Sequence, residues 1–259
     1  MLGTSSSRST GSTRLSQAVL LASGLLSISV TGCGSSSARV RAGLSVEMGT
    51  ATVIRAGKST QYEKGAKVPL EIGDTIRAGA NSQAQLFEDG HAICLAANAE
   101  LIYQAAAPLT EDDPPMVVTL VRGLSTFMID KGTKKHKGDK FLAVTHSVIA
   151  AVKGTAFEGN VSDSGAVDFT LTEGRIVLRS PEGAAAFAVE RMEDGVDSGE
   201  SSDVADGEVG MVPGQKATVS AGGDATAVSV GTPPQAEYQA ARKRVFELGA
   251  MNGATIMNF

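Results

Sequence analysis

Tryptophan is missing from this chain, aromatic residues make up only 4% of it, and cysteine occurs twice. Each shortage removes a class of explanation. Two Cys and three scattered His (His91, His136 and His146) lack metal-site spacing, so neither a metal nor another cofactor is expected. Basic residues number 23 against 28 acidic ones, which argues against the basic face that nucleic-acid binding needs. No acidic residue occurs before Glu47. Beyond the first thirty or so residues, no apolar run approaches the roughly 20 residues of a membrane helix.

That head of the chain is where the apolar residues are concentrated. Arg8 and Arg14 precede Leu15–Val30, LSQAVLLASGLLSISV, and Val30-Thr31-Gly32-Cys33 follows. A positive start and a short apolar core are the layout of a secretory signal peptide. The ending resembles the lipobox of bacterial lipoproteins. The resemblance implies cleavage after residue 32 and a lipid on the Cys33 thiol, with each buried acyl CH₂ worth roughly 0.8 kcal/mol of membrane affinity. A plain signal peptide cut near Gly32 is the rival reading. Losing the two Arg would move the net charge from −5 to about −7. Residues 33–43 then read as a flexible tether. Gly34 in place of Asp leans toward the outer membrane, facing the periplasm or the surface.

Thirty Gly spread between short Val, Leu and Ile runs favour short strands over long helices. Strands are expected at 51–55, 75–77, 84–87, 93–95 and 100–103, with a polar turn region from 56 to 67. Ala84 and Leu86 would share a face with Ile93 and Leu95 across the Asp89-Gly90 hairpin turn. Met116–Leu124 and Thr126–Ile129 read as two strands meeting near Gly123. The continuous run Val148–Val152 reads as a strand buried on both faces. Ala166–Leu171 alternates, and a turn at Thr172-Glu173-Gly174 leads into Arg175–Leu178. Cys94, inside an apolar run, reads as a small buried hydrophobe.

Two charge runs interrupt this pattern. Lys131–Lys140 is rich in Lys, and Glu190–Glu208 places acids at every third residue from Asp194 to Asp206. The first reads as a solvated hairpin tip and the second as an acidic surface insertion, since its spacing does not match an EF-hand loop. Residues 221–234 read as a linker ending in Pro233-Pro234. From 235 to 249 a short amphipathic helix is expected, with Tyr238, Ala241, Val245 and Leu248 on one face.

An ordered set of motifs resembles the FecR domain of bacterial envelope proteins. It comprises Gly73-Asp74-Thr75-Ile76-Arg77-Ala78-Gly79, Ser82, Asp89-Gly90, Thr145, Val152-Lys153-Gly154-Thr155-Ala156-Phe157, Glu173-Gly174 and Pro213-Gly214-Gln215. The resemblance covers about residues 44–220 and implies an all-β domain. Antiparallel β-sandwich or irregular β-solenoid-like architectures both fit. Two positions depart from the family pattern: His146 stands where Pro is usual, and Lys153 where Arg is usual. His146 frees a backbone N–H, and Lys153 gives up a bidentate fork. FecR-type regulators resemble sigma-regulating proteins with a membrane helix, for which this sequence offers only the lipobox segment.

The motif residues read as structural, and none makes a catalytic constellation. No small-molecule substrate is evident. The expectation is a non-catalytic lipoprotein of the cell envelope, held to a membrane through lipid on Cys33 and presenting its β domain to an envelope protein or glycan. An accessory sensor acting through a separate transmembrane regulator is the alternative. A cell-wall glycan enzyme would need Asp89, His91 and His146 to converge.

Overall fold

The computed structural model describes residues 42–88, 90–105, 116–130, 141–179, 181, 207–221 and 228–255. Cys33, Asp89, the Lys131–Lys140 run and most of the acidic insertion therefore lie outside the described residues. What is described belongs to one compact unit, Arg39–Phe259.

Among the described residues, fifteen strands and one helix follow one another. They are β1 (Ala42–Met48), β2 (Thr50–Arg55), β3 (Lys58–Glu63), β4 (Lys67–Leu70), β5 (Thr75–Ala78), β6 (Gln83–Glu88), β7 (His91–Leu95) and β8 (Glu100–Ala105). The second half holds β9 (Met116–Met128), β10 (Phe141–Val144), β11 (Ile149–Val161), β12 (Val167–Arg179), β13 (Glu208–Met211), β14 (Lys216–Val219) and β15 (Val228–Gly231). Helix α1 (Gln235–Thr255) comes last.

All strands belong to one sheet, which bends into two layers over a shared core. In one layer the order is β3-β2-β5-β8, the first half of β9, β10, the first half of β11, the second half of β12, then β13. In the other it is β4-β1-β6-β7, the second half of β9, the second half of β11, the first half of β12, then β14 and β15. The three long strands β9, β11 and β12 run through both layers and join them. Pairing is antiparallel among the described strands except for β9 with β10. The result is sandwich-like rather than a solenoid.

Glycines make the corners possible. In β9 the bend falls at Gly123 (φ 80°), where a Cβ would lie 2.7 Å from the Ala99 Cα. In β12 it falls at Gly174 (φ 82°), where a Cβ would lie 2.5 Å from the Gly154 carbonyl oxygen. Neither the dihedral nor the space admits another residue without strain. Opposite Gly174 the β11–β12 register slips between Lys153 and Ala156, a bulge of the kind that turns a strand.

These bends correct two expectations. Met116–Ile129 is not two strands meeting at a turn, and Thr172–Gly174 is not a turn. In both places one strand continues through a glycine corner, and glycine at a bend looks the same in sequence as glycine at a reversal. The polar stretch 56–67 also carries β3 and the start of β4. β3 is an edge strand, almost wholly exposed and paired only with β2, so it lacks the apolar alternation that marks a half-buried strand. The stretch read as a linker at 221–234 also carries β15, a short edge strand on β14 whose Val228 and Val230 pack against the core. Glu208, assigned to the acidic insertion, opens β13.

The core takes the inward residues of both layers. Ala84 and Leu86 do face it together with Ile93 and Leu95, all fully buried. Val148–Val152 is buried on both faces: Val148, Ala150 and Val152 join the main core, while Ile149 and Ala151 join a small outer cluster with Val117, Leu142 and Val177. Four of the eight Phe line up through the centre. Phe127 stacks on Phe157 with centroids 4.4 Å apart, and Phe141 and Phe169 extend the row on either side at 5.8 and 6.1 Å. A chain poor in aromatics spends them where the bent strands cross.

Candidate interaction surface

Each motif residue that the structure describes is tied into the scaffold. Asp74 is 1% exposed and receives a two-pronged contact from Arg55, Nε to Oδ1 at 2.9 Å and Nη2 to Oδ2 at 2.6 Å. The Glu71 backbone N–H also donates to Asp74 Oδ2. Arg55 reaches on to Glu71 Oε1 and the Pro69 carbonyl, so one guanidinium gathers the turn before β5. The hydrogen bond to Asp74 is the main reason the Arg55 pKa is raised above its usual value. Gly73 N–H donates to the Tyr103 carbonyl and Tyr103 N–H to that of Asp74, fixing β8 to the same turn. Thr75 opens β5.

Elsewhere the pattern repeats. Gly79 N–H donates to the Thr50 carbonyl, and Thr50 N–H donates to Ser82 Oγ. Gly90 lies at the β6–β7 turn. Thr145 Oγ1 donates to the Val148 carbonyl and accepts the Val148 N–H, closing a tight turn with His146 on its exposed side. Val152 and Phe157 lie in the core, and Lys153 stands opposite Arg175 in the β11–β12 ladder. Thr155 Oγ1 donates to the Arg175 carbonyl across the Gly154–Gly174 corner. Gly214 N–H donates to the Leu171 carbonyl, and Leu171 N–H to that of Gln215. This turn lets β13 and β14 pair with the two halves of bent β12.

The histidines serve different places. His91 is buried in β7, where Nδ1 accepts the Asp130 N–H and the ring meets Phe141 edge-on. His146 is exposed in the β10–β11 turn, beside Gly165. Among the described residues, no group of three or more His, Cys, Asp and Glu could hold a metal ion.

A second constellation escaped sequence reasoning. Helix α1 lies on the outer face of the layer formed by β7, β9, β11 and β12. Glu158 on β11 is buried there, and Arg244 of α1 forks onto it, Nε to Oε1 and Nη2 to Oε2 at 2.6 Å. Thr126 Oγ1 donates to the same carboxylate. The hydrogen bond from Arg244 to Glu158 raises the Arg244 pKa against the opposing pull of burial. At the start of the helix, Lys216 bridges Asp168 and Glu237 at 3.1 and 2.8 Å. Under its later turns Cys94 packs with Ala92 and Leu248, and its thiol accepts a hydrogen bond from Gln83 Nε2. Burial pushes that thiol's pKa up, the Gln83 contact opposing it.

The helix covers its face incompletely. A groove of about 650 Å³ runs along one side, with Met128, Ile129, Ala156, Val245 and Gly249 among its walls. A smaller cavity of about 360 Å³ on the other side reaches Cys94, Arg244 and Met251. Ala241, Val245 and Leu248 turn inward and Tyr238 is half-buried, but Phe246 points outward at 76% exposure. The helix is thus longer than the expected 235–249 and not simply amphipathic, because an arginine faces the sheet and a phenylalanine faces water. Complementary charges at 158 and 244 were the available signal. Their separation of 86 residues hides it from any local pattern.

Residues 74–177 match the family model described as FecR protein. The chain carries a FecR domain. The matched stretch opens on the Asp74 clamp and closes in the second half of β12, so it spans all three bent strands. Among solved structures, two crystal structures of a candidate anti-sigma factor from Parabacteroides distasonis ATCC 8503, at 2.50 and 1.65 Å, are similar. Each has 14% identity and a TM-score of 0.41, and covers 61% of this chain and 59% of the other. No curated protein matches the chain.

Proposed function

We propose that this protein is a non-catalytic lipoprotein of the cell envelope whose FecR domain binds a partner in signalling or assembly. The observation that carries the reading is the FecR match over residues 74–177, together with the structural employment of its motif residues. Asp74, Thr145, Gly154, Thr155, Phe157 and Gly174 hold corners and turns. A scaffold maintained in this way presents surfaces. The anchor in this reading is lipid on Cys33, placing the domain on the outer membrane, toward the periplasm or the surface. The partner is an envelope protein or glycan.

Intact-mass measurement and membrane fractionation of the protein from its native envelope test the anchor. An acylated chain beginning at Cys33 and pelleting with membranes supports it; an unmodified, freely soluble chain refutes it. Affinity capture from envelope extract tests the binding role, and recovery of no specific protein or glycan would count against it.

The FecR match also favours a sensor variant of this reading, in which the domain passes its state to a separate transmembrane regulator. Deletion would then alter the transcriptional response to envelope stress or iron limitation, and an unchanged transcriptome would remove this variant.

A further inference from the structure

The face beneath α1 is unusual for a permanent core contact. None of the described side chains of the helix joins the main core, which is built from the two sheet layers and their connections. Leu248 instead joins a separate small cluster with Ala92 and Cys94, flanked by Met128 and Met251, and Ala241 and Val245 are buried beside the fork. Around that cluster the sheet turns polar side chains outward: Thr126, Glu158, Thr170 and Thr172. Such a face, uncovered, would be a tolerable solvent surface, since hydroxyls and a carboxylate hydrate readily.

The attachment of the helix fits the same picture. The chain enters it through Thr232-Pro233-Pro234, where prolines end the extended segment after β15. Specificity comes from one charge-assisted fork, Arg244 on Glu158, with inward-facing Ala241, Val245 and Leu248 spaced around it at −3, +1 and +4. Empty volume on both flanks shows that the face is broader than the helix covering it. Phe246 stays in water beside the larger groove instead of filling it.

We propose that this face is a helix-docking site, that α1 is its resident occupant, and that a partner protein's helix of the same chemistry displaces it. The partner helix carries an arginine for Glu158, with apolar residues at −3, +1 and +4. One or more of these is bulkier than its counterpart in α1 and fills the flanking groove. α1 itself displays what the site recognises. The inference rests on the interaction-module reading and names its surface.

Cys94 supplies the assay, because Leu248 and Met251 of α1 cover it. Thiol labelling of the full chain, followed at the Cys94 peptide by mass spectrometry, reports undocking. Hydrogen exchange in β9 and β11 reports the sheet. In the Arg244→Ala full chain, Cys94 is expected to label at least tenfold faster than in the wild type with sheet protection unchanged. A synthetic peptide of residues 235–255 in excess is expected to restore slow labelling, and the same peptide with the Arg244→Ala change to leave it fast. Faster labelling only in step with lost sheet protection, or failure of the unaltered peptide to protect, overturns the proposal. Should Arg244→Ala fail to fold, the wild type answers the question: its Cys94 labelling rate should be independent of urea below the global transition, and a rate that follows global unfolding overturns the proposal. A negative result here leaves the envelope-extract capture untouched, since that capture does not depend on which surface binds.

Discussion

Asp74 is held by an arginine from β2, and removing its carboxylate would strand that contact and the Glu71 N–H together. A wholly buried pair broken on one side costs about 3–5 kcal/mol. Arg55 is 37% exposed and can rehydrate, so Asp74→Ala is expected to lower unfolding stability by about 2–3 kcal/mol in urea denaturation. At Gly174 the obstacle is geometric, because the Gly154–Thr155 segment of β11 blocks a Cβ. Gly174→Ala should cost about 2–4 kcal/mol or prevent folding, whereas Gly231→Ala, with open space and no positive φ, should fall within about 0.5 kcal/mol of wild type. Cys94 gives a pH signature. Its pKa is raised in the folded state by burial, so the folded thiol holds its proton more tightly than the unfolded one. That contribution is complete below the unfolded value of about 8.5 and is lost as pH rises through the folded value. The stability difference between wild type and Cys94→Ala should therefore shift against the wild type above about pH 8.5. A difference that stays flat to higher pH would contradict the assignment.

Among the elements, the half-buried strands were the legible ones. Strand β6 and the first half of β12 alternate, and Ala84, Leu86, Val167, Phe169 and Leu171 are the positions that join the main core. The edge strand β3 carries no such record, since almost all of it is exposed, and in β15 the alternation of Val228 and Val230 is too short to stand out. The bent strands were legible in composition but not in path: Gly123 and Gly174 announce a change of direction without saying whether the chain reverses or only turns a corner. For α1, the inward positions Ala241, Val245 and Leu248 were readable from helical spacing, whereas the Arg244–Glu158 fork was not. Side chains on α1 should accordingly divide by direction. Leu248→Ala is expected to weaken helix docking by about 2–3 kcal/mol, and Phe246→Ser to leave stability within about 0.5 kcal/mol. Thermal or urea unfolding of the two variants side by side separates these outcomes.

In the molecule as a whole, a two-layer scaffold carries a helix-covered face, and the lipid proposed on Cys33 would anchor both. The FecR domain was recognisable from motif order, and the structure gives those motifs their physical jobs at clamps, bulges and turns. No helix among the described residues is long and apolar enough to cross a membrane. The anchor proposed above is lipid on Cys33. A photoreactive phenylalanine analogue at position 246 in living cells tests this arrangement most directly. Position 246 is exposed on α1, the element a docking partner must meet in order to displace it, so the analogue can trap that partner. The account predicts a specific crosslink to an envelope protein that disappears in the Cys33→Ser variant, as the domain loses its place on the membrane. No specific crosslink, or one that persists unchanged without Cys33, would contradict it.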